Sequence, residues 1–258
     1  MLIELLQNGG QYSIPEVGLM FVMLLLALTI SFSFHEFMHA FVADRLGDNT
    51  PRLLGRVTMN PIAHMDPMGT LLLLTVGFGW GKPVQFNPNN LRRFKSKRLM
   101  MIMVSLAGVF GNFLIALVAM LIIAIIMTAT GFGTSDPQLY AVAYVYAGIN
   151  GQLGVPLVPS IICYVLYYVY LFSLSLMAFN LLPIPPLDGF HVLEELLPYK
   201  ARYTEFYRKF VQYGSMVLLV LIILGNFSRI NILSGIMNLI QLPAKLIINL
   251  LVFWIGLI

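Results

Sequence analysis

Phe34-His35-Glu36-Phe37-Met38-His39-Ala40 sets two histidines and a glutamate inside an apolar stretch, residues 17–46, that carries no charge before Glu36. On a helix, His35 and His39 lie one turn apart on the same face, so their imidazoles can converge on one ion. Glu36 is rotated about a quarter turn away, within reach of water beside that ion but not itself a ligand. The H-E-x-x-H spacing supplies two zinc ligands and a general base, the minimal half of a metallohydrolase site. Ionisable groups inside a spanning helix are costly and are read first as functional. That places a metal site above the plainer reading of two interfacial histidines bonded to neighbouring helices.

The surrounding chain is not that of a soluble domain. Of its 258 residues 59% are hydrophobic and 10% charged, against roughly 25% charged in ordinary domains. Several stretches reach the ~20 apolar residues that cross a bilayer. The expected fold class is an all-α polytopic membrane protein of about five transmembrane helices, with a small β or re-entrant segment between the first two. The net charge of +4 is modest, and the basic residues sit in loops beside apolar runs. They read as topology signals rather than a nucleic-acid footprint, so the expected partners are the lipid bilayer and membrane protein, not nucleic acid. The single cysteine, Cys163, lies in an apolar run and reads as packing. Glu4 and Glu16 stand where a cleavable leader would carry basic residues, so the first span is expected to stay in place.

Residues 1–16 form a short mixed N-terminal segment. The spacing predicts spanning helices over 17–46, 99–130, 160–182, 210–225 and from 232 onward, with a kink at Pro243. Between the first two, residues 52–61 alternate and end in Asn60-Pro61, which predicts a strand or hairpin. Residues 69–77 are apolar but too short to span, and the glycines around Trp80 suggest a re-entrant loop. Residues 131–159 read as a loop with some helix, and 191–209 as a helical segment interrupted at Pro198. A catalytic core over 17–189 and a C-terminal part over 190–258 follow from this division. Thirteen of the fifteen Lys and Arg residues fall at the end of the first span or in the loops after the first and third spans. The positive-inside rule then puts the N-terminus outside, the histidines about 10–17 Å from the cytoplasmic end of their helix, and the site toward the cytoplasm of a multi-pass cell-membrane protein.

A catalytic zinc takes three protein ligands, and the third candidates are Asp188, Asp66, His64 and His191. Asp188 is favoured, because it follows a spanning segment broken at Pro183-Ile184-Pro185-Pro186 on the same side of the membrane as the histidines. The plainer reading of Asp188-Gly189 is a turn and a helix N-cap.

His35-Glu36-Phe37-Met38-His39 with Asn180-Leu181-Leu182-Pro183-Ile184-Pro185-Pro186-Leu187-Asp188-Gly189 resembles the site-2 protease family of intramembrane zinc metalloproteases. Residues 55–61, 64–67 and 79–84 look like its compact bacterial branch without a PDZ domain. The resemblance implies one Zn2+ per chain held by His35, His39 and Asp188, with Glu36 as base. It implies a substrate or oxyanion role for Asn180 and Asn112, with Pro186 the proline beside the aspartate. In the family motif A-G-P-x-x-N that ends at Asn112, Val109 stands in place of the proline; no ligand is lost. The implied reaction is hydrolysis of a peptide bond within or near a transmembrane helix of a single-span substrate, the unwound segment held by an edge strand within 52–86. A non-proteolytic metal-binding protein or transporter would need ionisable groups along a path through the later helices, which are nearly free of charge. A catalytically silent scaffold has no use for Glu36.

Overall fold

The computed structural model of the chain describes residues 14–76, 79–130, 157–227 and 232–255. It is an all-α polytopic membrane protein: α1 (Ile14–Arg45), α2 (Pro67–Val76), α3 (Lys97–Ala129), α4 (Leu157–Asn180), α5 (Asp188–Leu196), α6 (Glu205–Phe227) and α7 (Ile232–Ile255). Five of these, α1, α3, α4, α6 and α7, are long and apolar enough to cross a membrane. The expected spans are matched to within a few residues, and α7 continues through Pro243. Of the segments expected at 1–16 and 131–159, residues 1–13 and 131–156 lie outside the described residues, while 14–16 begin α1 and 157–159 begin α4.

The core is the mutual packing of α1, α3 and α4, with α7 laid against α3 and α4. Without a hydrophobic force between helices in lipid, close approach depends on small residues and interhelical hydrogen bonds. Helix α3 supplies the first: Ala107, Gly108, Gly111, Ala116, Ala119 and Ala124 are all buried. Ser31 supplies the second, its hydroxyl donating to Ala27 O of its own helix and to Val169 O of α4 at 2.9 and 3.2 Å. Helix α6 stands more apart, touching the proline turn after α4 through Leu218 and Gly214.

Residues 52–61 depart from the expected strand or hairpin, and no edge strand forms among the described residues of 52–86. Residues 50–53 form a single helical turn, and Asn60, accepting from the amide of Ile62, starts a short 3-10 turn over Pro61–Ala63. Among the described residues no strand forms; the sole bridge pairs Met65 with Gly81, beside a bond from Lys82 N to His64 O of 2.7 Å. The alternation of 52–61 is overridden because side chains and turns claim the backbone. Arg56 is buried and donates to the carbonyls of Ala63 and Lys82, while His64 Nε2 bonds Thr58 O at 2.8 Å. The apolar run expected at 69–77 lies in the ten-residue α2 (Pro67–Val76), too short to span. The loop returns against α1 at Gly81, where a Cβ would lie 1.9 Å from the Phe32 ring.

The far end of this loop is fastened at Asp48. Its carboxylate accepts from the amide and hydroxyl of Thr50, from Asn90 Nδ2, and from the amide of Asn87. The Arg92 and Arg93 amides then donate to Leu46 O, the carbonyl just past the end of α1. Burial alone would raise the Asp48 pKa, and the hydrogen bonds from Thr50, Asn90 and Asn87 outweigh it and hold the group below its ordinary value. A depressed carboxylate pKa stabilises the fold above the unfolded-state value, and that contribution disappears as pH falls through the folded-state value. Asp48→Ala is expected to cost about 1–3 kcal/mol, read as a lower melting temperature in detergent and faster proteolysis within 84–96. The variant should also lose part of the wild type's destabilisation below about pH 4.

Candidate metal centre

His35 and His39 sit on the buried face of α1, about two to three turns before its C-terminal end, and α3 crosses directly over them. The crossing is possible because position 108 is glycine: a Cβ there would lie 2.3 Å from His39 Nε2 and 2.5 Å from His35 Cε1. At the end of α4 the chain turns through bonds from Ile184 N to Leu182 O and from Leu187 N to Ile184 O and a cis Pro185–Pro186 peptide, and α5 starts at Asp188. Gly189 lets α5 fold back tightly, since a Cβ there would lie 2.4 Å from Leu181 O. Helix α5 also packs on α3, so the break in the α4–α5 path delivers Asp188 to the two imidazoles.

The three donor atoms form a nearly equilateral triangle. Asp188 Oδ2 lies 3.3 Å from His35 Nε2 and 3.2 Å from His39 Nε2, and the two Nε2 atoms are 3.1 Å apart. Tetrahedral zinc with bonds of about 2.0–2.1 Å places its donors about 3.3 Å apart, so the triangle has the size of one face of such a tetrahedron. Asp188 Oδ2 is buried and has no well-directed hydrogen bond. Two imidazole nitrogens and one carboxylate oxygen, all aimed at one point, are a donor set suited to a divalent cation. Burial alone would raise the Asp188 pKa, and the His39 and His35 rings outweigh it and hold the carboxyl below the ordinary range.

The far nitrogens are held by α3. His39 Nδ1 donates to Val104 O at 2.8 Å, and His35 Nδ1 meets the Asn112 side-chain amide at 3.0 Å. Beside the triad lies a largely apolar cavity of about 250 Å³, walled by His35, Glu36 and Phe32 of α1, Asn180 of α4, and Met65 and Trp80 of the loop.

Of the four residues weighed as a third ligand, Asp188 alone joins the histidines. Asp66 accepts from the Gly69 amide at 2.8 Å and caps α2. His64 is buried among loop carbonyls, and His191 is exposed, 3.9 Å from Glu194. Glu36 and Asn180 both face the cavity, Asn180 Nδ2 donating to Leu176 O at 3.0 Å. Asn112 is fully buried against His35, and Pro186 is exposed in the turn. Sequence reasoning missed Gly108 and the Val104 carbonyl. The small residues of 106–112 were the available signal for the glycine, whereas a backbone carbonyl leaves no mark in a sequence.

The sequence pattern of peptidase family M50 matches residues 23–224. YwhC of Bacillus subtilis (strain 168), assigned as a zinc metalloprotease, is 36% identical over 214 residues, covering 79% of this chain and 82% of its own. Rip2 of Mycolicibacterium smegmatis (strain ATCC 700084 / mc(2)155), with the same assignment, is 26% identical over 214 residues, covering 81% of this chain and 70% of its own. No solved structure matches the chain significantly.

The close crossing at residue 108 gives a direct test. Gly108→Ala should weaken zinc binding by about tenfold or more, measured by competition with a chromophoric chelator. Gly111→Ala, whose Cβ meets the flexible Met38 side chain at 2.5 Å, should lose much less.

Proposed function

The chain belongs to peptidase family M50, and from this premise we propose that it cuts a peptide bond within or near the transmembrane helix of a single-span membrane protein. It is a zinc metallopeptidase set in a multi-pass membrane protein. The single observation that carries the reading is the triangle of His35, His39 and Asp188 beside a cavity that Glu36 also lines.

Zinc held by the triad supplies a Lewis acid that polarises the scissile carbonyl and makes water a better nucleophile near neutral pH. The protein's own groups do the rest. Glu36, facing the cavity from the turn that carries His35, accepts a proton from the attacking water as the oxygen–carbon bond forms. The same carboxyl returns that proton to the departing amine nitrogen as the carbon–nitrogen bond breaks. Asn180 faces the same space. With one N–H of its amide on Leu176 O, the second is free to donate to the developing oxyanion.

A substrate helix hides its carbonyls in its own hydrogen bonds and must unwind before attack. Phe32, Met65 and Trp80 offer the unwound segment apolar cover and exclude bulk water. The concentration of Lys and Arg in the loops after α1 and α4 supports a cytoplasmic mouth for the site, an external N-terminus and residence in the cell membrane.

Glu36→Gln should retain stoichiometric zinc while cleavage of a reconstituted single-span substrate falls by about 10²–10⁴-fold, the usual share of a general base. Stripping the wild type with a chelator should abolish cleavage, and added zinc should restore it. Wild-type rates in Glu36→Gln would remove that residue from the chemistry.

A further inference from the structure

One face of α3 presents three features at four-residue intervals toward the imidazole pair: the Val104 carbonyl, the missing side chain at Gly108, and the Asn112 amide. The first of these settles a tautomer. Val104 O can only accept, so Nδ1 of His39 carries a proton, and the neutral ring then presents its Nε2 lone pair toward Asp188 Oδ2, 3.2 Å away.

His35 poses the same requirement. Its Nε2 lies 3.3 Å from the same oxygen and 3.1 Å from His39 Nε2. For that nitrogen to offer a lone pair to a cation, the proton must sit on Nδ1 and needs an acceptor. The group found there is Asn112, wholly buried, with Nδ2 at 3.0 Å from His35 Nδ1 and Oδ1 buried without a partner. An Nδ2 donating to Nδ1 would force the imidazole proton onto Nε2, into the centre of the donor triangle. A half-turn of the amide keeps the side chain's shape and presents Oδ1 to the Nδ1–H instead.

We propose that Asn112 is a positioning residue of the metal centre: its side-chain oxygen accepts the Nδ1–H of His35 as the Val104 carbonyl accepts that of His39, so one face of α3 aims both Nε2 lone pairs at the cation. This rests on the metal-binding reading of His35, His39 and Asp188, and it separates Asn112 from the cavity-facing Asn180. Asn112 acts through His35, not on the substrate.

The test uses the full chain in detergent, with zinc affinity measured by chelator competition and ligand geometry by the visible spectrum after cobalt(II) substitution. Asn112→Asp keeps the shape and an acceptor but has no amide donor; it should bind zinc at least as tightly as wild type and keep the cobalt spectrum. Asn112→Leu fills the space without an acceptor; its zinc Kd should rise by about 10–100-fold, the usual cost of losing such a partner, with an altered cobalt spectrum. Unchanged affinity in Asn112→Leu, or a loss in Asn112→Asp as large as in Asn112→Leu, overturns the proposal. Should Asn112→Leu fail to fold, Asn112→Asp decides alone, since a donor role predicts loss and an acceptor role predicts retention. A wild-type chain that binds no zinc would instead remove the metal centre itself.

Discussion

The site answers to one electrostatic constraint: a carboxylate and two imidazoles are packed together among helices long and apolar enough to cross a membrane, where an unpaired charge is expensive. Asp188 Oδ2 is buried, lies 3.2–3.3 Å from two ring nitrogens, and has no well-directed hydrogen bond of its own. Such a cluster is tolerable when a cation shares its charge. The helices are arranged so that it can form: α1 carries the pair, the break after α4 delivers the acid, and α3 lies close enough to hold both rings.

That closeness is a packing achievement of small residues. Leucine-rich helices in lipid gain little by touching each other, and what favours contact is backbone approach. Gly108 takes the extreme position, with two imidazoles where a methyl group would stand, and Gly111 extends the same seam toward Met38. The site is therefore supported by the feature that holds the three-helix core together. Loss of that seam would alter the stability of the bundle and the aim of the histidines at once.

The sequence was most legible where period and solvent agree. The five long apolar runs specify spanning helices, and the four-residue spacing of His35 and His39 specifies one face of the first. The proline-rich break before Asp188 showed where a helix stops near the same depth. Residues 52–61 fold otherwise than their pattern suggests, because alternation in a short stretch cannot tell a strand from a succession of turns. There the buried Arg56 guanidinium and the His64 ring compete for carbonyls that a sheet would have used. No local pattern reports an interaction between positions 56 and 82, or 48 and 87. Asn112 was readable as a polar residue in a spanning helix, but not as the neighbour of His35, 77 positions away.

The valine at 109 gains meaning in this setting. A proline there would remove one backbone N–H from the middle of a spanning helix, and in lipid a freed carbonyl must find another partner. With Val109, α3 runs as a helix from Lys97 to Ala129. Its 3.6-residue period then keeps the Val104 carbonyl, the open space at Gly108 and the Asn112 side chain in register along one face. The departure from the family pattern thus falls at a residue whose side chain is buried in the core cluster, while both far nitrogens of the histidine pair keep their partners on the unbroken helix.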